Sequence, residues 1–118
     1  MSILADLKEV LTGNSTDTDF DDDLKLYANS EFSKLKQIGV GPEEGFEIES
    51  GNEEWTDFIS DDVSLRSMVK VYIITAVRLI FNPPQNGTAY NSMEEVKNEL
   101  YWRMLHDYEV KRINNEEE

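Results

Sequence analysis

The chain contains no cysteine. Disulfides, thiolate metal sites and cysteine nucleophiles are therefore excluded, and the composition fits a reducing compartment. Histidine is nearly absent too: His106 stands alone. General-base work would need a positioned nucleophile or carboxylate beside it. Asp107 is adjacent in sequence and so points elsewhere on a helix, which makes His106 a surface or interface residue. Bases are few, 11 Lys and Arg against 25 Asp and Glu, for a formal net charge of −14. Binding to nucleic-acid phosphates or to an anionic membrane surface needs the opposite sign. Long apolar runs are also missing. The longest, Val69 to Phe81, is broken by Lys70 and Arg78 and is too short to span a bilayer. The opening Met1-Ser2-Ile3-Leu4-Ala5-Asp6 has no basic segment and meets an acid at once, so it is not expected to be a signal peptide. The sequons at Asn14 and Asn86 then read as chance. No phosphate loop, dinucleotide fingerprint or zinc pattern occurs, and the enzyme class has no signature.

What is present is enough apolar residue for one real core in 118 residues. The acids are placed unevenly. Residues 1–62 hold 17 acids and 4 bases, a net of −13, whereas residues 63–118 hold 8 acids and 7 bases, a net of −1. Such an excess keeps a protein dispersed. It also equips one end to repel or to imitate a polyanion.

Apolar periodicity predicts an all-α, four-helix bundle-like domain with an irregular loop or short extended arm between the second and third helices. Ser2 caps a first helix with Ile3, Leu4, Leu7, Val10 and Leu11 on one face, stopped by Gly13. A second begins near Thr18 or Asp19. It carries Phe20, Leu24, Tyr27, Ala28, Phe32, Leu35 and Ile38 as one stripe and ends at Gly39. Asp21, Asp22 and Asp23 occupy its first turn, where the helix dipole favours negative charge. Phe46 and Ile48 alternate with acids, as in a short strand or arm, and Trp55, Phe58 and Ile59 fit one helical turn. Asp61 or Asp62 caps a third helix running to Phe81. Its main stripe is Leu65, Met68, Val69, Tyr72, Ile73, Ala76, Val77 and Ile80, with Val71, Ile74 and Leu79 apolar outside it. A helix this apolar is buried nearly all round. Asn82-Pro83-Pro84 stops it. A fourth helix starts between Thr88 and Ser92, where Ser92 and Glu95 have capping-box spacing. Met93, Val96, Leu100 and Met104 form its inner stripe, Tyr101, Leu105 and Tyr108 a second. Glu99 with Arg103, and Asp107 with Lys111, are ion pairs in the favourable order. Residues 1–113 form a single domain, and 114–118 a flexible acidic tail.

Two motifs have bland explanations. Asp17, Asp19 and Asp21 alternate like the ligands of a calcium loop, but Asp22 fills the glycine position and Ala28 the place of the bidentate Glu, so a capped first turn accounts for them. Trp55 in its acidic, irregular segment is better read as a plug at the core edge than as a partner contact.

The ordered set Gln37-Ile38-Gly39-Val40-Gly41-Pro42-Glu43-Glu44-Gly45-Phe46, then Trp55-Thr56-Asp57-Phe58, then Val69-Lys70-Val71-Tyr72-Ile73 with Val77-Arg78-Leu79-Ile80-Phe81-Asn82-Pro83-Pro84, then Glu99-Leu100-Tyr101-Trp102-Arg103, resembles the head–tail connector (adaptor) proteins of tailed bacteriophages. The likeness covers Ile3 to Tyr108. Asn82 stands where family members usually have Asp, and either residue stops a helix. The resemblance implies a structural virion protein, assembled in the host cytoplasm, that forms a homo-oligomeric ring of about twelve copies. The ring lies under the portal protein at the head–tail junction, joins it to a stopper or tail-completion protein, and lets DNA pass without binding it specifically. No catalysis, cofactor, metal or membrane is implied.

The residues suggest how each contact is made. Tyr101, Leu105, Ile74 and Leu79 are candidates for self-association, because large apolar groups beyond one core face need cover. Tyr108, Val110, Lys111, Arg112 and Ile113, mixed apolar and basic, are candidates for portal docking, and truncation after Asp107 is expected to leave a folded subunit that does not dock. Asp21, Asp22 and Asp23 are candidate channel-lining acids. The competing reading is an acidic DNA mimic that blocks a nuclease or repressor, but its acids would be spaced like phosphates rather than clustered in caps and loops.

Overall fold

The computed structural model describes residues 2–117, and their side chains except those of residues 111–112 and 114–117. It is all-helical among the described residues, with α1 (Ile3–Thr12), α2 (Asp21–Gln37), a single turn α3 (Trp55–Phe58), α4 (Val63–Phe81) and α5 (Gly87–Glu117).

The helix boundaries follow from local chemistry. The Ser2 hydroxyl accepts the Ala5 N–H, and Gly13 at φ 74° ends α1 by returning its N–H to the Glu9 carbonyl. The second helix starts two to three residues later than its sequence predicts. The Asp17 carboxylate accepts the Asp19 N–H at 2.9 Å and folds 17–19 into a turn instead of a first helical turn. At its other end the Val40 N–H reaches back to the Leu35 carbonyl and the Gly39 N–H to that of Lys36, each at 2.9 Å. This is a Schellman ending that requires the left-handed conformation of Gly39, φ 81°. Asp62 caps α4 by accepting the Leu65 N–H at 3.0 Å. The last helix starts at Gly87, just ahead of the predicted window. Asn86 Oδ1 accepts the Thr88 and Ala89 amides at 2.8 and 3.3 Å, so Ser92 lies inside the helix and its spacing to Glu95 is incidental. The helix runs on to Glu117, so residues 114–117 prolong its axis.

No strand occurs among the described residues. The segment at Phe46–Ile48 is extended, but its backbone partner is a side chain. Asn29 Oδ1 accepts the Ile48 N–H at 2.7 Å, and Asn29 Nδ2 donates to the Ile48 carbonyl at 3.2 Å. Pairing with α2 in this way leaves no ladder to propagate. Glu53 closes the next turn, its carboxylate accepting the amides of Glu49, Ser50 and Gly51 at 2.9 to 3.2 Å. Burial pushes this carboxyl's pKa up, and the converging amides more than reverse that, holding it at about 2.

The core is centred on Phe32, whose ring meets Phe58 at 4.8 Å, Phe46 at 4.9 Å and Trp55 at 6.5 Å between centroids. Trp55 is the plug its sequence setting suggested: it is buried, and its Nε1–H donates to Asp6 Oδ2 at 2.8 Å. The central helix α4 contributes Val69, Tyr72, Ile73, Ala76, Val77 and Leu79 to the interior. Its predicted pattern needs two corrections. Leu79 is buried while Ile80 is half exposed, and Val63 and Val71 also face out, so α4 is buried on one side and not all round. Val10 likewise faces solvent, and Lys8 takes its place inside α1.

Two measurements test this packing. Ile73 is fully buried, so Ile73→Asp strands an unpaired carboxylate in the core and is expected to cost more than about 4 kcal/mol in denaturant unfolding. For Glu53 the folded pKa lies below the ordinary 4.5. Its stabilisation is therefore present above pH about 4.5 and is lost as pH falls towards about 2. Wild-type stability should decline more steeply across that window than that of Glu53→Gln, measured by urea unfolding at each pH.

Candidate assembly surfaces

The residues singled out in the sequence fall on three kinds of surface: the acidic start of α2, the far end of α5, and the open sides of α4 and α5.

At the start of α2 the three aspartates separate. Asp21 is half-buried and faces the ammonium of Lys8 at 3.1 Å, itself nearly buried. Asp21 Oδ1 makes no aligned hydrogen bond, so this is an ion pair held by charge. Asp22 and Asp23 are exposed. Only these two carry charge to the surface. Asp21 neutralises a buried lysine and ties α2 to α1. Among the described residues no three His, Asp or Glu side chains are grouped as a metal site would need.

Along α5 the helix phase reassigns several residues. Met104 is fully buried, and Leu100, Tyr101 and Leu105 pack partly buried on the same core. The Tyr101 ring lies 6.2 Å from that of Tyr72 on α4. Tyr101 and Leu105 are thus mainly intramolecular contacts, and so is buried Leu79; of the four proposed self-association residues, Ile74 lies on the open side of α4, itself partly buried. Val96, assigned to the inner stripe, is instead 44% exposed. Tyr108 sits against Gly39, where a Cβ would collide with its ring. Gly39 therefore serves the helix ending and the seat for Tyr108 together. Beyond it Val110 and Ile113 are exposed. The side chains of Lys111 and Arg112 lie outside the described residues, and with them the expected Asp107–Lys111 pair. The Glu99–Arg103 pair is present at 2.7 Å on the exposed side of the helix.

His106 is exposed and lines a groove with Arg103, Asp107 and Val110 from α5 and Leu65 and Met68 from α4. The most exposed aromatic side chain on the helix is Trp102, 64% accessible, which the sequence reading noted only as part of a block. Its signal was available: with Leu100, Tyr101 and Met104 turned inward, a residue at position 102 must point away.

Between α2 and α4 lies a polar contact that the periodicity did not show. Glu31 is buried, accepts the Tyr72 hydroxyl at 2.9 Å, and is reached by Lys34 at 3.2 Å. Burial, reinforced by the negative charge of Glu31, pushes the Tyr72 phenol well above its usual range and keeps it a donor. No helix among the described residues is long and apolar enough to cross a membrane.

The split among the aspartates is testable by unfolding. Asp21→Asn leaves Lys8 without its counter-charge and is expected to cost about 1–3 kcal/mol. Asp22→Asn and Asp23→Asn should each change stability by less than about 0.5 kcal/mol.

A family described as phage connector protein fits residues 3–111. No curated protein matches the chain, and no solved structure does.

Proposed function

The chain belongs to the phage connector protein family, a structural family, and from that membership we propose that it forms a ring at the head–tail junction that joins the portal to the stopper or tail and lets DNA through. The observation that carries this reading is the match over nearly the whole chain, combined with a fold whose chemistry lies in surfaces. The groove beside His106 presents an imidazole, a guanidinium, two carboxylates and the Ser64 hydroxyl, and among the described residues no hydrogen bond joins that hydroxyl to the imidazole.

Ring closure needs two different complementary faces on each subunit, and the exposed apolar side chains of α4 and α5 provide the material. The distal part of α5 is the segment for the portal. Beyond Tyr108 the helix continues with Val110 and Ile113 exposed, Val110 still bordering the groove against α4, and with Lys111 and Arg112 between them in sequence. An amphipathic helix end suits insertion into a groove on a partner. Because Tyr108 is seated on Gly39, it belongs to the body of the subunit. The cut that separates docking from folding therefore falls after Glu109. Truncation there should leave the melting transition within a few degrees of wild type and abolish co-sedimentation with the portal protein. Normal co-sedimentation would exclude the helix end as the docking element.

The exposed acids fit DNA transit. About twelve copies at −14 each would sum to a ring charge on the order of −170 before screening, and acids facing the channel would keep DNA off its wall. Phage carrying Asp22→Asn with Asp23→Asn should assemble normally and eject DNA more slowly, measured by fluorescence of released genome. Unchanged ejection would leave the two acids a role in solubility alone.

A further inference from the structure

The α4 helix is unusual in this acidic chain. Its 19 residues include Arg66, Lys70 and Arg78 and no acid. One side is left open along its length. Val63 is 67% and Val71 48% exposed, Ser67 and Arg78 are exposed, and Ile74 is half-buried. Val63, Ser67, Ile74 and Arg78 follow a spacing of four, seven and four, so they lie on one line beside Val71.

The outer side of α5 has the opposite character. Glu95, Glu99, Trp102 and His106 are exposed at spacings of four, three and four. Val96 flanks them at 44% exposure, and Trp102 is the largest apolar group on the line. Val63 to Arg78 spans about 22 Å of helix and Glu95 to His106 about 16 Å, so the second line fits within the first. Their charges are complementary. Arg78 and Glu95 make no ion pair among the described residues. Lys70 leans on Asp6 at 3.5 Å, and Glu99 shares its charge with Arg103.

Within the subunit α4 meets α5 through Tyr72, which faces Tyr101, and through Leu65 and Met68, which share a groove with Arg103 and Val110. These residues lie on the side of α4 away from Ser67, Ile74 and Arg78. On the outer line of α5, Glu95, Glu99 and Trp102 turn away from the inward Leu100 and Met104, while His106 at its end borders the groove shared with Leu65 and Met68. The open line of α4 and the Glu95–Trp102 part of the α5 line therefore bound different sides of the α4–α5 pair, which is what head-to-tail association requires.

We propose that the open face of α4 on one subunit receives the outer face of α5 from the next copy, with Trp102 packing among Val71 and Ile74 and Arg78 meeting the glutamates of the neighbouring α5. This rests on the ring reading above and assigns its two faces. Spacings of three and four on both helices suit shallow-angle packing of ridges into grooves, and a tryptophan at the centre of such a contact is a natural anchor.

The test uses the full chain, with assembly followed by sedimentation velocity alone and with the portal protein. Val71→Asp spoils the α4 face and Trp102→Asp the α5 face. Both positions are exposed, so each variant should keep the wild-type helical circular dichroism and melting transition, while neither should assemble at concentrations where wild type does. Mixed together, they retain one intact α4 face and one intact α5 face. The mixture should give dimers and nothing larger. Single variants that assemble like wild type, or a mixture that stays monomeric, would overturn the assignment while leaving the ring reading intact. Should either variant fail to fold, Arg78→Glu and Glu95→Arg replace them: each should fail to assemble singly, and because the exchanged charges again meet as opposites at both contacts, the mixture should recover assembly beyond the dimer. Wild type that never assembles, alone or on the portal, would overturn the ring reading itself and this assignment with it.

Discussion

Every other helix of this subunit rests on α4. One side of that helix supplies Val69, Tyr72, Ile73, Ala76 and Val77 to the interior. Removing this apolar surface from water is the dominant favourable term holding α1, α2, α3 and α5 together. The partners divide its circumference. Tyr72, Leu65 and Met68 meet α5, and Glu31 of α2 reaches the Tyr72 hydroxyl from another side. A strut used on several sides must leave some arc uncovered when only four helices surround it, and here that arc is apolar and basic.

The loop between α2 and α4 shows how irregular backbone is held without a sheet. The Asn29 side chain stands in for a neighbouring strand, Glu53 gathers three amides, and the Ile3 N–H donates to the Glu53 carbonyl at 2.8 Å. Buried and half-buried backbone groups find partners in side chains, and the aromatic rings of Phe46, Trp55 and Phe58 close over Phe32. Two glycines make this compact. Gly39 admits the Tyr108 ring and Gly41 the Phe58 ring, each at a place where a side chain would collide. The Gly39–Pro42 block thus joins the end of α2, the α3 turn and the distal part of α5. This corner fixes where the distal part of α5 leaves the packed body of the subunit.

Charge is segregated by the fold in a way that net charge does not reveal. Asp21 is consumed by Lys8 and Asp6 by Trp55 and Lys70, while Glu31 is buried against Tyr72. Several acids of the N-terminal half are therefore structural. The surface acidity comes from residues such as Asp22, Asp23 and those of the turns. The field of the subunit at a distance comes from this exposed set, because a paired carboxylate contributes little there.

Helix identity, order and most ends were legible in the sequence, because Ser2, Gly13, Gly39, Asp62 and the Pro83-Pro84 pair act on their immediate neighbours through local hydrogen bonding and sterics. Family membership was legible too, since it resides in ordered blocks of residues. What the periodicity could not decide was which of two adjacent stripes on an over-apolar helix faces inward. Leu79 and Ile80, or Val96 and Tyr101, differ by a rotation about the helix axis that only the neighbouring helices select. The same holds for Glu31 and Lys8, polar residues buried because tertiary packing brings Tyr72 and Asp21 within reach. Local chemistry determined where each helix begins and stops; the partners across the core, acting at long range in the chain, decided which side of each helix was left exposed.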